Sequence, residues 1–167
     1  ITDSGQVNIS RTYVTSKAAG FSGSASSSIS TTISSLIVTD NSTIDYSSAG
    51  AQNITAGSYG NITNSGNGDR SFDNTGTIQI AANFSPGSGN YTTTGSTLEF
   101  NGTSAQSIPA IAPSSIYASL DINNAAGVSL ASSISISDAL FLTNGNLITT
   151  GFNFTLLSSA TTTARIA

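Results

Sequence analysis

Two stretches of the chain repeat one pattern: STIDYSSAGAQNI at residues 42–54 and STLEFNGTSAQSI at residues 96–108. The second copy begins 54 residues after the first, and both alternate polar and apolar residues before a turn rich in small residues. Alternation with a period of two is typical of a β-strand with one buried side. A tyrosine with an aliphatic residue three positions later follows each copy, Tyr59 with Ile62 and Tyr117 with Leu120. The sequence therefore indicates internal repeats built from short strands.

Repeats of several short strands predict an all-β protein, and we expect a parallel β-solenoid (β-helix) with repeats of about 54 residues. Ser, Thr and Asn can stack in ladders along the faces of such a coil, and charge is sparse where like residues would stack. A string of small β-sandwich modules is the alternative. The expected organisation is an N-terminal partial repeat or cap at residues 1–40, a first repeat at 41–94, and a second repeat with trailing strands at 95–167.

The same alternation predicts which side chains fill the interior. The expected core positions are apolar or aromatic and lie at or after matching places in the two copies: Ile44, Tyr46, Ile54, Tyr59, Ile62, Leu98, Phe100, Ile108, Tyr117, Leu120 and Ile122. Tyr46 aligns with Phe100, so the hydroxyl is optional there and a buried position is expected. If the tyrosines, which also include Tyr13 and Tyr91, were instead exposed in a row, they could stack on sugars.

Composition excludes several classes of function. The chain of 167 residues has no His, Cys, Met or Trp, which rules out a Cys nucleophile, a Ser-His-Asp triad and a Cys/His zinc site. Four Lys and Arg against eight Asp and Glu give a net charge of −4, so a nucleic-acid partner is not expected. No run of 18 apolar residues predicts a transmembrane span, and no cofactor is expected.

The repeated stretches resemble a known family of repeats. STLEFNGTSAQSIPA (96–110), IYASLDINNAAGVSL (116–130) and DALFLTNGNLITTGFNFTLLSSATTTARIA (138–167) are similar to repeat regions of very large secreted and cell-surface proteins of Bacteroidetes. STIDYSSAGAQNITAGSYGNITNSGNG (42–68) is a second copy of that pattern. The resemblance implies export, commonly by type IX secretion, an extracellular or cell-surface location, and a role in adhesion, surface filaments or gliding.

Two carboxylates share one repeat position. Asp45 and Glu99 each lie between two inward residues, so strand alternation turns both outward. A catalytic pair would need the two groups a few ångströms apart, as in a glycosidase. A repeated solvated position is the expectation, and no catalytic residue is assigned.

A Gly-rich acidic loop is the candidate metal site. Asn64, Asn67, Asp69 and Asp73 offer oxygen ligands of the kind that hold Ca²⁺. The loop lacks the spacing of an EF-hand or of a calcium β-roll, and Arg70 beside Asp69 subtracts charge. A solvated turn is the competing interpretation.

The expected function is structural and non-catalytic: a segment of a bacterial extracellular filament or surface adhesin, which continues into neighbouring repeats or self-associates. The alternative is a module that binds surface glycans. Two remoter hypotheses are an ice-binding coil, suggested by the Thr runs at residues 92–94 and 161–163, and a polysaccharide-degrading β-helix. The dispersed basic residues, Arg11, Lys17, Arg70 and Arg165, argue against the last.

Overall fold

The computed structural model describes residues 42–167 in full and, by backbone alone, the strands at residues 6–9, 12–15 and 35–38. The described part consists of 19 strands with no helix between them, and every strand pairing in it is parallel. It therefore contains no helix that could cross a membrane. The predicted all-β parallel solenoid is confirmed. The Gly- and Ser-rich segments at residues 47–50, 64–68 and 86–89 form loops and turns between strands, as their composition predicts. A turn predicted at Asn144 and Gly145 is wrong, because both residues lie within a strand that pairs with the turn below.

From residue 35 onward, successive strands fall on three faces in strict rotation. The first face carries β1 (Gln6–Ile9), β3 (Ser35–Val38), β6 (Gly57–Tyr59), β9 (Thr77–Ile80), β12 (Thr97–Phe100), the first halves of β15 (Ser119–Leu130) and β17 (Ala139–Ile148), and β19 (Arg165–Ile166). The second face carries β2 (Thr12–Thr15), β4 (Thr43–Tyr46), β7 (Asn61–Thr63), β10 (Phe84–Ser85), β13 (Gln106–Ile108) and the second halves of β15 and β17. The third face carries β5 (Gln52–Ile54), β8 (Arg70–Phe72), β11 (Tyr91–Thr92), β14 (Ile116–Tyr117), β16 (Ile134–Ile136) and β18 (Phe154–Leu156).

One turn of the coil takes about 20 residues, and the strands from β3 to β18 make about six turns. Leu98 shows the spacing, because it pairs with Ile78 below and Leu120 above, 20 and 22 residues away. The 54-residue interval of the sequence is therefore not the length of a turn. It spans eight strands, or two and two-thirds turns, so the second copy of the pattern lies one face away from the first. Ile44 belongs to the second face and Leu98 to the first.

The interior is a single apolar column enclosed by the three faces. All eleven expected core side chains lie in it, none more than 1% exposed. Further aliphatic side chains at inward positions extend the column along the coil, from Ile78 and Ile80 to Val128 and Ile136. Because each inward residue stacks on its register partner one turn away, the coil buries apolar surface continuously along its axis. Much of residues 1–40 lies outside the described residues, so the predicted cap or partial repeat there stays a prediction.

Candidate functional site

The repeated carboxylates Asp45 and Glu99 are not a pair. Asp45 lies on the second face and accepts hydrogen bonds from the Ser65 amide at 3.0 Å and hydroxyl at 2.7 Å. Glu99 lies on the first face, and its residue is only 8% exposed. The prediction of a solvated position is wrong for Glu99, because amide side chains from the neighbouring turns cover it.

Glu99 and its amide partners belong to a row of hydrogen-bonded polar side chains on the outside of the first face. We call this row the outer ladder and define it as Ser58, Gln79, Glu99 and Asn123. The Ser58 hydroxyl donates to the Gln79 side-chain oxygen, and Gln79 Nε2 donates to Glu99 Oε2 at 2.8 Å. Asn123 Nδ2 donates to Glu99 Oε1 at 2.7 Å. The ladder ties four successive turns together on the outside of the coil.

The candidate calcium loop disperses its four side chains among different partners. Asn64 is buried: its oxygen accepts from the Arg70 guanidinium, and its Nδ2 donates to Pro86 O at 2.9 Å. Asp69 Oδ1 accepts a hydrogen bond from the backbone amide of Asn90 at 3.1 Å, and Asn67 is exposed. Among the described residues, no three His, Cys, Asp or Glu side chains form a group that could hold a metal.

Asp73, the fourth member of that loop, caps a turn. Its Oδ1 accepts from the Thr75 amide at 2.9 Å and hydroxyl at 2.7 Å, and its Oδ2 accepts from the Ala56 amide at 3.3 Å. Burial alone would raise the pKa of Asp73, but these three hydrogen bonds to the charged carboxylate outweigh it and hold the pKa below its usual value.

Arg70 clamps the corner between the second and third faces, a role that a basic residue in a Gly-rich loop does not predict. The residue is 1% exposed. Its Nη1 donates to Gly50 O, Gly68 O and Asp69 O, and its Nη2 donates to Tyr46 O, Ser48 O and the side-chain oxygen of Asn64. Burial lowers the pKa of Arg70, yet six oxygens surround the guanidinium and compensate its lost hydration. The single indication in the sequence is that Arg70 lies two residues before the inward Phe72, so strand alternation turns both side chains to the same side.

The glutamine that recurs in both copies of the sequence pattern, Gln52 and Gln106, also hydrogen-bonds backbone groups where the chain bends between faces. Gln52 Oε1 accepts from the Ser48 amide at 3.0 Å, and Gln106 Oε1 accepts from the Gly102 amide at 2.8 Å. Gln106 Nε2 also donates to Ile80 O at 2.8 Å and Ala82 O at 2.9 Å. One turn above, Asn124 Nδ2 donates to Gln106 Oε1 at 2.9 Å. These buried amides satisfy backbone groups where the chain bends between faces.

The tyrosines form no sugar platform in the described part. Tyr46, Tyr59, Tyr91 and Tyr117 are all buried, and burial raises the pKa of each phenol. The side chain of Tyr13 lies outside the described residues.

Neither Thr run forms a flat outer array. In residues 92–94, Thr93 points inward with its hydroxyl donating to Ile116 O, whereas its two neighbours are exposed. Residues 161–163 precede β19 in a turn.

The most unusual surface is the last turn of the coil, which we call the open turn and define as residues 139–166. β19 covers only Ala139 and Leu140 of this turn. Within the described part of the chain, the remaining strands of the turn pair on one side only, with β15 and β16. All four large hydrophobic residues exposed in the described part belong to it: Leu142, Ile148, Phe152 and Ile166.

Inward residues of the open turn are also incompletely covered. Leu147, Phe154 and Leu156 pack against the core but stay partly exposed. Their register partners one turn below, Val128, Ile134 and Ile136, are at most 3% exposed. The difference arises because no further turn lies above them in the described part.

Two shallow grooves also mark the surface. The larger, of about 420 Å³, crosses the third face and is lined chiefly by hydroxyl and amide side chains: Asn53, Thr55, Ser71, Asp73, Asn74, Thr92 and Thr94, with Phe72 beneath. The other, of about 370 Å³, lies at a corner and is lined by residues 81–83 and 103–106.

Comparison of the chain with protein-family models, with curated proteins and with solved structures found no match.

Proposed function

We propose that this chain is a structural, non-catalytic segment of a bacterial extracellular filament or cell-surface adhesin, in which the open turn stacks on another turn of the same kind. A second copy of the chain or a neighbouring repeat would supply that turn. The carrying observation is the partial exposure of Leu147, Phe154 and Leu156 in columns that are fully buried one turn below.

The physics of the open turn supports stacking. Beyond Leu140, its strands have no partner among the described residues along one edge, and such edges template the addition of another strand. A further turn in register would pair those groups and cover the inward apolar side chains, and apolar burial contributes about 25 cal/mol per Å². Both contributions favour a partner with the same turn length and the same three faces.

The surface chemistry fits a structural role outside the cell. Charged residues make up 7% of the chain, so contacts between turns depend little on ionic strength. Three acidic groups of the described turns, Asp45, Asp73 and Glu99, accept hydrogen bonds from neighbouring backbone or side-chain groups. The likeness of the repeats to those of Bacteroidetes surface proteins, and type IX export with it, belongs to the same proposal.

Electron microscopy of the purified chain over a concentration series tests the proposal. We expect fibres of constant width that lengthen with concentration. Leu156→Lys places a charge where the next turn would have to bury it and should abolish fibres. Thr155→Lys adds the same charge on the exposed side of the same strand and should leave fibres intact.

Discrete particles of one size from the wild-type chain at every concentration would contradict self-association. Fibre formation by Leu156→Lys would contradict stacking through the open turn. Circular dichroism of both variants separates a loss of stacking from a loss of folding.

A glycan-binding module is the second candidate, favoured by the larger groove on the third face. Its lining of hydroxyls and amides suits a neutral sugar chain better than an ionic ligand, since the one carboxylate, Asp73, already accepts three hydrogen bonds. Binding of neutral oligosaccharides to the wild-type chain, lost in Asn53→Ala, would support it.

A further inference from the structure

The two ends of the described coil present strands on matching faces. At the lower end, β1 lies on the first face, and β2, the next strand along the chain, lies on the second. Among the described strands, β1 pairs only with β3 and β2 only with β4. At the upper end, the first face ends in β19 and the second face ends in the second half of β17. Because every described pairing is parallel, the lower end of one copy can continue the upper end of another in the same strand direction.

β19 lies where the first strand of an added turn would have to lie. It pairs with Ala139 and Leu140 on the first half of β17. Since β1 and β2 follow each other on the first and second faces, β2 can pair with the second half of β17 only if β1 pairs with the first half. If β1 paired with β19 instead, the second-face position above Leu147 would stay empty for one turn. Leu147 packs against the core and is only partly buried, so this gap would leave apolar surface uncovered.

Few contacts hold β19 in its place. Two backbone hydrogen bonds do so, from Arg165 N to Asp138 O at 2.8 Å and from Ala167 N to Leu140 O at 2.9 Å. The ion pair between Arg165 and Asp138 is exposed on both sides, and such pairs contribute little. Ile166 is the inward residue of the strand, and it is 61% exposed. A strand with so little buried surface opens locally at a small cost in free energy.

β1 matches the edge that β19 covers in register as well as in face. One row of register partners runs along the first face from Asn8 of β1 to Phe141 of β17. By the same register, Gln6 belongs to the row of Ala139, where β19 places Arg165. β1 has four residues in strand geometry and β19 has two, so β1 can pair with a longer part of β17.

We propose that β1 of a second copy displaces β19 and pairs with Ala139 and Leu140 in its place. The proposal rests on the stacking proposed above and names the strand through which the second copy enters. With β1 on the first half of β17, β2 of the same copy lies above Leu147 and the coil continues without a gap. β19 is then a strap that protects the first-face edge until a second copy arrives.

Cross-linking between chains that carry one cysteine each tests the exchange. Gln6→Cys is mixed with Ala139→Cys, and in parallel with Arg165→Cys, under mild oxidation and at a concentration that forms fibres. Register partners on adjacent strands lie within the reach of a disulfide. We expect at least tenfold more disulfide between positions 6 and 139 than between positions 6 and 165. The opposite preference would show that β1 stacks on β19 and would overturn the exchange.

A strap that cannot leave provides the second test. Ala139→Cys/Arg165→Cys joins two register partners, and the natural chain has no cysteine, so one intrachain disulfide can form. We expect the oxidised variant to form no fibres and the reduced variant to form them, with the same circular dichroism in both states. Equal fibre growth in both states would overturn the exchange and leave the stacking intact. Absence of fibres from the wild-type chain and from the reduced variant alike would contradict the stacking itself, and the exchange with it.

Discussion

Replacing Arg70 with methionine should destabilise the coil strongly, although the side chain makes no ion pair in the described part. Tyr46 O, Ser48 O and Asp69 O would each keep a backbone donor, from Gly66, Gly68 and Gln52 respectively. Gly50 O, Gly68 O and the side-chain oxygen of Asn64 would lose the donor that Arg70 supplies.

The size of the effect follows from the two of these acceptors that are buried, Gly68 O and the side-chain oxygen of Asn64, since Gly50 is exposed and water can replace the donor there. Each costs about 1–3 kcal/mol when buried without a partner, and removing the buried charge returns part of the sum as relieved desolvation. We therefore expect the lower end, a loss of about 2 kcal/mol in the free energy of unfolding. With a urea m-value of about 2 kcal/mol/M, the midpoint should fall by about 1 M.

Urea unfolding followed by circular dichroism measures the change, and Arg165→Met is the matched control. Arg165 forms an exposed ion pair with Asp138 at 3.4 Å, and such pairs contribute about 0–1 kcal/mol. If Arg70→Met shifted the midpoint no more than Arg165→Met does, the clamp would not hold the corner and the reasoning would be refuted.

Three further predictions concern single positions. Gln106→Leu leaves buried backbone groups at its corner without a partner and should lower the free energy of unfolding in urea by about 2–4 kcal/mol. Ser107→Ala, on the outer side of the same strand, should lower it by under about 0.5 kcal/mol. Equal losses would contradict the role of Gln106 at the corner. Gly145→Ala would place a Cβ 1.9 Å from Asn124 O at a φ of +97°, whereas Gly151→Ala, at +84°, meets nothing within 4 Å. Both incur backbone strain of about 1 kcal/mol, so a clearly larger loss of stability is expected at Gly145, and equal losses would show that the two turns are not packed as described. Asp73 stabilises the fold above its unfolded pKa of about 3.8, and this contribution is lost as pH falls through its lower folded pKa. Asp73→Asn should therefore flatten the acid side of the stability profile measured by urea unfolding, and an unchanged profile would show that the caps contribute nothing.

The strand pattern and the core could be predicted from the sequence because alternation alone encodes them. Ile44 and Leu98 each lie between polar residues, and both fill the interior. The turn length could not be predicted from the 54-residue interval, because each face requires the same inward and outward alternation. Strands on different faces can therefore carry the same sequence pattern, as β4 and β12 do.

The buried polar residues show where sequence patterns stop being informative. The burial of Glu99 depends on Gln79 and Asn123, which lie 20 and 24 residues away and become neighbours only through the length of a turn. The segment from Asn64 to Arg70 is rich in Gly and polar residues, a composition typical of a solvated surface turn. The burial of Asn64 and Arg70 follows from the sharp corner, where backbone carbonyls converge and need donors.

The coil advances by about 20 residues per turn, and paired cysteines test that advance most directly. The natural chain has no cysteine, so a double variant can form one disulfide only. Ser135 and Thr155 are register partners on the outer side of the third face, and adjacent strands bring Cα atoms within the range a disulfide requires.

We predict that Ser135→Cys/Thr155→Cys forms an intrachain disulfide rapidly under mild oxidation. Thr43→Cys/Thr97→Cys, a pair matched by the 54-residue interval but placed on different faces, should not. Cross-linking of the second pair in place of the first, measured by mass spectrometry of proteolytic fragments, would contradict the coil described above.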